Sequence, residues 1–263
     1  MQTGSNRCNR RRGFFIAAIS LCLALSSFSL PGLATGGNSS MVGLSLALRA
    51  MNGDNMQISI LGACKCGETL GALWVKAGHQ VMFSSGDTER DKVLAAGLGS
   101  RASAGTPKQA GTFGEILLLS VPYAEVQQIS RDLRVELQGK VVIDASNSAP
   151  VCNGDVVAGT TERWEDSASS LLHSGAQVVR AFSSVSPTQL EKEAHRAGEQ
   201  IAIPLAADDA WATKVAVRLV RDAGFEPVVI GELGRAKEFD LGTPVFFNAL
   251  TGAELRRQLG VKP

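Results

Sequence analysis

The sequence predicts an α/β fold built on a doubly wound parallel sheet, and three observations support this prediction. Short apolar segments alternate with stretches of helical spacing from Met56 onwards. The segment at 116–121 is apolar except for Ser120 and shows no alternation, as expected of a parallel strand that is covered on both faces. The first apolar segment, at 57–61, runs into a glycine-bearing turn and then a helix. Such alternation indicates parallel strands joined by right-handed crossovers.

The first half of the chain contains most of the predicted elements. Strands are predicted at 57–61, 80–83, 116–121 and 140–144, helices at about 68–77, 89–96 and 124–133, and short extended pieces around Ala102. Gly78 ends the first helix because glycine readily adopts the left-handed backbone of a C-terminal cap. Thr106-Pro107 begins another helix, since proline is favoured at the first helical position. Pro122 ends the strand before it.

The second half predicts a small C-terminal α/β portion that extends the same sheet. The sequence indicates strands at 177–182, 200–204 and 227–230 and helices at about 162–172, 208–223, 244–250 and 253–259. Asp208 is a favourable N-cap for the long helix, whose apolar residues Trp211, Val215 and Leu219 recur every four positions.

The N-terminal segment has the three-part pattern of an export leader. Arginines at 7 and 10–12 precede an apolar stretch at 14–30, and small residues at Gly32 and Ala34 fit a cleavage site. Arg11-Arg12-Gly13-Phe14-Phe15 resembles the twin-arginine motif. The predicted organisation is a signal peptide at 1–34, a flexible connector at 35–55, a nucleotide-binding domain at 56–180 and a substrate portion at 181–263.

Localisation depends on this leader. A functional leader predicts a periplasmic or exported protein without a stable membrane span. The alternatives are an uncleaved N-terminal anchor, or a true start at Met41 or Met56 and a cytoplasmic protein.

Charge and cysteine content exclude several classes of function. The 26 basic and 25 acidic residues nearly balance, so nothing favours nucleic acid as a partner. The mature part has an odd number of cysteines, which is not a disulfide framework. Cys64-x-Cys66 lacks a second ligand pair, so no metal site is predicted. The expected partner is a small-molecule acceptor, and a homodimer is one option for assembly.

The strand–turn–helix at 57–67 is the predicted phosphate-binding site. In a Rossmann-type fold, helix N–H groups and the helix dipole at this turn bind a dinucleotide pyrophosphate. Cys64 stands where the fingerprint has its middle glycine, which normally lets the backbone approach the pyrophosphate. The candidate residues of the turn are Gly62, Ala63, Cys64, Lys65, Cys66 and Gly67.

The end of the second strand favours NADP over NAD. An NAD enzyme usually has a carboxylate there, about 20 residues after the first glycine, to bind the ribose 2′-hydroxyl. Here Ser84 and Ser85 occupy these positions, no carboxylate follows until Asp87, and Arg90 is available for a 2′-phosphate. The alternative is that the serines form an ordinary turn and that Arg90 is a solvated helix residue.

Two later strand ends complete the predicted cleft, because parallel strands present their carboxyl ends at one edge. The candidates are Val121, Pro122 and Asn147, although a proline after a strand and an asparagine in a turn are also common in ordinary loops. No side chain is assigned as catalytic, since hydride transfer mainly requires two rings held face to face.

The chain from Gln57 to Gly260 resembles a known family. It is similar to the NADPH-dependent reductases of the deazaflavin coenzyme F-420 and to the wider group of bacterial proteins that share their domain. The similar stretches include 73–79, 83–85, 104–107, 119–123, 139–145, 180–182, 207–209 and 235–244.

The resemblance implies a Rossmann domain for NADP(H) and a C-terminal part that closes over a deazaflavin, a flavin or another acceptor. It implies a phosphate turn at 63–67, a 2′-phosphate site at Ser84, Ser85 and the next residue with help from Arg90, and a nicotinamide wall near Pro122 and Asn147.

Several positions depart from the family pattern. Cys64 and Cys66 replace a glycine and an aliphatic residue, Gly86 replaces an arginine that clamps the 2′-phosphate, and Ser183 replaces an asparagine. Three hypotheses therefore stand: an NADP(H)-dependent oxidoreductase, a degenerate Rossmann protein that binds a nucleotide or partner without catalysis, and a thiol-redox role for Cys64 and Cys66.

Overall fold

The computed structural model describes residues 55–62, 65–147, 151–152, 155–156 and 164–262. The predicted leader and nearly all of the predicted connector lie outside these residues. The described strands are β1 (Gln57–Leu61), β2 (Gln80–Ser84), β3 (Ala102–Ala104), β4 (Ile116–Leu119), β5 (Val141–Asp144), β6 (Val151–Cys152), β7 (Asp155–Val156), β8 (Gln177–Arg180), β9 (Ala202–Ala207) and β10 (Glu226–Gly231).

Helices connect most of these strands. The described α-helices are α1 (Lys65–Lys76), α2 (Thr88–Leu98), α3 (Pro107–Phe113), α4 (Tyr123–Asp132), α5 (Arg134–Leu137), α6 (Trp164–His173), α7 (Pro187–Glu193), α8 (Ala210–Asp222) and α9 (Gly252–Leu259). A 3₁₀ helix spans Leu233–Phe239.

The main sheet confirms the predicted doubly wound architecture. Its order is β10-β9-β8-β5-β4-β1-β2-β3. Six adjacent strands of this sheet, β3, β2, β1, β4, β5 and β8, are mutually parallel, and their order is that of a Rossmann fold. Strand β9 pairs antiparallel with β8, and β10 pairs parallel with β9. The C-terminal portion therefore extends the same sheet, while the proposed boundary at 180/181 stays a prediction.

Strand β4 shows why a continuously apolar sequence suits the centre of this sheet. Successive side chains of a strand point to opposite faces. Ile116 and Leu118 accordingly join one core cluster with Trp74, whereas Leu117 and Leu119 join the other with Val126. All four β4 side chains are fully buried because helices cover both faces.

Some local predictions differ from the structure. The first helix begins at Lys65, three residues before the predicted start. Asp209, and not Asp208, caps α8 by accepting a hydrogen bond from the Ala212 N–H at 2.7 Å. Asp208 instead accepts from the Leu233 N–H at 2.8 Å. Either aspartate could cap the helix on local grounds, and packing against the 3₁₀ helix selects between them.

The C-terminal end also differs from the prediction. The segment at 244–250, predicted as helical, consists of turns and irregular chain, and the 3₁₀ helix before it was not predicted. Within the described residues, no helix has the length and apolarity required to cross a membrane.

Candidate cofactor-binding site

Gly62 forms the turn at the point where the sheet reverses its winding, between β1 and β4. Its N–H donates to the Ser84 carbonyl at 2.9 Å. Its φ is +116°, and a Cβ atom built there would lie 2.1 Å from the Ser120 carbonyl oxygen. No other residue type fits this position without moving the backbone.

Gly67 allows α1 to pack tightly against the strand ends. A Cβ atom at Gly67 would lie 2.9 Å from Ile60 Cγ2 and 3.2 Å from Ser120 Cβ. The third glycine of the dinucleotide fingerprint has this role. Because α1 begins at Lys65, the unsatisfied N–H groups of its first turn lie at the carboxyl edge of the sheet. Ala63 and Cys64 lie outside the described residues.

Cys66 is a packed thiol in the first turn of α1. It packs against the core. Burial raises the pKa of its thiol to about 12, although a hydrogen bond with Ser120 opposes the change. The thiol is therefore protonated at neutral pH, and a protonated thiol is a poor nucleophile. This environment counts against the thiol-redox hypothesis as far as Cys66 is concerned.

A carboxylate that the sequence prediction missed lies against the end of β2. The Asp91 carboxylate accepts from the Ser85 N–H at 2.6 Å and from the Ser85 hydroxyl at 2.9 Å. Asp91 belongs to α2 and is buried. The donors of Ser85 that were predicted for a 2′-phosphate are thus bound within the protein. Ser84 is also buried, and its hydroxyl has no partner among the described residues.

Arg90 lies at the same end of the sheet and forms an ion pair with Glu68. Glu68 is in the first turn of α1, so this pair links the N-terminal turns of α1 and α2. Asp87 caps α2 by accepting from the Arg90 N–H at 3.0 Å. At Gly86, a Cβ atom would meet nothing within 4 Å.

Val121, Pro122 and Asn147 come together, as the sequence predicts. Pro122 and Asn147 form a parallel bridge beyond the ends of β4 and β5. The Asn147 N–H donates to the Val121 carbonyl at 3.3 Å, and the Tyr123 N–H donates to the Asn147 carbonyl at 3.2 Å. The Asn147 side chain donates to the Ser183 carbonyl at 3.1 Å, which joins the loop after β8 to this wall.

A buried ionic network supports the same loops, and the sequence prediction missed it. Arg180, at the end of β8, is fully buried and lies 3.2 Å from the Asp144 carboxylate. Its guanidinium also donates to the Tyr123 hydroxyl at 2.6 Å. That hydroxyl donates to Asp240 at 2.9 Å. The network thereby connects β5, β8, α4 and the residue that follows the 3₁₀ helix.

Burial and charge fix the protonation states of this network. Burial alone would lower the pKa of Arg180, but electrostatic interactions with Asp144, Tyr123 and Asp240 and the hydrogen bond to Asp144 together outweigh burial, and the pKa is raised. Burial also raises the pKa of Tyr123, so its hydroxyl stays protonated. An arginine at the end of the otherwise apolar Val178-Val179-Arg180 strand was the sequence signal for this network. Glu68 and Asp91 gave no such signal, because acidic residues are ordinary in first helical turns.

Known proteins resemble this chain in sequence over one segment and in fold more widely. The family model described as NADP oxidoreductase, coenzyme F420-dependent, matches residues 57–148. A search among curated proteins gave no match.

Several solved structures share the fold. A hypothetical protein from Sinorhizobium meliloti superposes with a TM-score of 0.64 and 21% identity, over 74% of this chain and 95% of that one. A proposed F420-dependent NADP-reductase from Arthrobacter sp. FB24 superposes with a TM-score of 0.59 and 17% identity, over 79% of this chain and 96% of that one. An imine reductase from Myxococcus stipitatus in complex with NAD⁺ superposes with a TM-score of 0.52 and 17% identity, over 68% of this chain and 55% of that one.

These similarities to solved structures concern the fold, whereas the family match concerns the sequence that builds the turn and both strand ends. Residues 57–148 match the model of the NADP oxidoreductase, coenzyme F420-dependent, family, and the solved structures show a Rossmann-like fold.

Proposed function

We propose that the protein is an NADP(H)-dependent oxidoreductase that transfers hydride between the nicotinamide and a flavin-like, deazaflavin-like or other small acceptor. The observation that supports this most strongly is the Gly62 turn, which lies at the switch point of a Rossmann-ordered sheet. Ligands of such sheets bind at this crevice. The matching family has NADP in its description.

The residues of the cleft fit a dinucleotide. The chain turns tightly at Gly62, where a Cβ atom would clash with the Ser120 carbonyl, and Gly67 brings the first turn of α1 close to the strand ends. The N–H groups of that turn would bind the pyrophosphate. Ser84, Ser85 and Arg90 would surround the ribose 2′-position, and Val121, Pro122 and Asn147 would form the wall beside the nicotinamide.

The chemistry requires mainly orientation. When bound, the nicotinamide supplies or accepts the hydride. The chain holds the wall in place through the Pro122–Asn147 bridge and the Asn147–Ser183 hydrogen bond. The Arg180 network fixes the loops beneath it. Rigid support of this kind suits a reaction that depends on the distance between two rings.

Steady-state assays test this proposal. Purified protein is mixed with NADPH or NADH and with a deazaflavin, a flavin or a cyclic imine, and oxidation of the nicotinamide is followed. We expect oxidation that requires both an acceptor and the Gly62 turn, so that the Gly62→Ala variant is inactive. An absence of nucleotide binding and of oxidation with every acceptor would contradict the proposal.

A second candidate is a degenerate Rossmann protein that binds a nucleotide or a partner without catalysis. The observation that favours it is the binding of both Ser85 donors by Asp91. The Cys64→Gly variant separates the two candidates. A large gain in dinucleotide affinity would support a decayed site, and no gain would mean that the turn accommodates the cysteine.

We also propose the domain organisation given above, with export through the N-terminal leader and a C-terminal substrate portion at 181–263. The twin-arginine pattern supports export through the leader, and the twin-arginine route transports proteins that are already folded. Intact-mass measurement of the secreted protein tests it: a mature N-terminus directly after Ala34 is expected, and a retained leader would contradict it.

A further inference from the structure

Resting on the proposed function, we infer that Glu68 is a specificity-determining residue that limits NADPH affinity relative to NADH by holding Arg90. Arg90 is the cationic candidate for the ribose 2′-phosphate, and its guanidinium forms an ion pair with the Glu68 carboxylate. A 2′-phosphate must compete with that carboxylate for the guanidinium.

The surroundings make Arg90 decisive for a 2′-phosphate. The N–H and the hydroxyl of Ser85 are both bound by the buried Asp91 carboxylate. Gly86 has no side chain to contribute. Ser85 and Gly86 thus provide little to bind a phosphate, and a charge-assisted hydrogen bond from arginine is the strong interaction that remains at these positions.

The position of Glu68 explains how one residue can affect the two cofactors differently. Glu68 is less than half as exposed as Arg90, with side-chain exposures of 18% and 46%. The guanidinium is therefore the more accessible partner. NADH and NADPH share the pyrophosphate, so simple repulsion by Glu68 would weaken both. Competition for Arg90 weakens only the cofactor that carries a 2′-phosphate.

The test compares the dissociation constants of NADPH and NADH by calorimetry. The variants are Glu68→Gln, Arg90→Gln and the double variant. The matched control is Glu89→Gln, which removes the same charge from an exposed pair with Lys92 on α2. We expect Glu68→Gln to tighten NADPH binding about 5- to 20-fold and to change NADH binding less than about 2-fold.

The double variant identifies the route of the effect. If Glu68 acts through Arg90, Glu68→Gln no longer increases NADPH affinity in the Arg90→Gln background. The control Glu89→Gln leaves the dissociation constants of NADPH and NADH within about 2-fold of those of the unsubstituted protein. An equal gain for both cofactors, or an unchanged ratio, would overturn the inference while leaving the proposed function intact. A failure of all variants to bind either cofactor would overturn the proposed function and this inference with it.

Discussion

Introducing an arginine at position 86 should raise NADPH affinity, because the structure has room for it beside the proposed 2′-phosphate site. The resemblance to the coenzyme F-420 reductases places a phosphate-clamping arginine at this position. A Cβ atom at Gly86 meets nothing within 4 Å, and its backbone is outside the left-handed region that favours glycine. The Gly86→Arg substitution is therefore expected to cause no strain in the fold.

The size of the effect follows from the kind of hydrogen bond that the new arginine would donate. A hydrogen bond to a charged group contributes about 1.5–3 kcal/mol, which corresponds to about 10- to 150-fold in affinity. The carboxylates of Asp91 and Glu68 lie at the same end of the sheet and compete for the new guanidinium. We therefore expect the lower part of this range, about 10- to 30-fold for NADPH, and little change for NADH.

Calorimetric titration with both cofactors measures this directly. Gly97→Arg is a suitable control, because Gly97 is also open and lies near the other end of α2. It adds the same charge away from the strand end and should change both constants less than about 2-fold. If Gly86→Arg leaves the dissociation constant of NADPH unchanged, or lowers those of NADPH and NADH equally, the assignment of the 2′-phosphate site is refuted.

Three further predictions concern stability and can be measured by urea denaturation. Gly62→Ala should destabilise the fold by about 3 kcal/mol, since it combines a positive φ with a Cβ clash against backbone; an unchanged midpoint would contradict the turn geometry. Arg180→Met should cost about 3–5 kcal/mol because it leaves the buried Asp144 carboxylate without its cation, whereas removing the half-exposed surface pair by Arg196→Met should cost less than about 1 kcal/mol; equal costs would contradict the buried network. Burial would raise the pKa of Asp222, but the hydrogen bonds and charges of His79 and Arg218 together outweigh burial and lower the pKa from 3.8. This stabilisation is therefore present above that value and is lost as the pH falls below it. Asp222→Asn should reduce stability at neutral pH and flatten its dependence on pH below about 4; an unaltered pH profile would count against the pair.

Much of the fold was predictable because it depends on local pattern. The apolar run of β4 contributes to both core clusters, so its burial on two faces follows from the period of a strand. Gly62 and Gly67 were identified by their spacing after the first strand, and the structure shows close backbone or side-chain contacts at both. Val121, Pro122 and Asn147 were brought together by the rule that parallel strands share a carboxyl edge.

The parts that were missed depend on contacts between distant residues. Asp91 lies one helical turn into α2 and folds back on Ser85, which no spacing rule indicates. The Arg90–Glu68 pair joins two helices across 22 positions. Arg180 meets Asp240 across 60 positions through a chain reversal that includes an unpredicted 3₁₀ helix. Sequence pattern therefore predicted which strand ends meet at the proposed site but not the charged side chains that lie there.

The central claim is that a dinucleotide binds where β1 meets α1, beside the cysteine at position 64. Native mass spectrometry of the purified protein, before and after addition of NADPH, tests this claim most directly. We predict one bound nucleotide per chain in the native protein and none in the Gly62→Ala variant. A native protein that gains no nucleotide mass at saturating NADPH or NADH would contradict the claim.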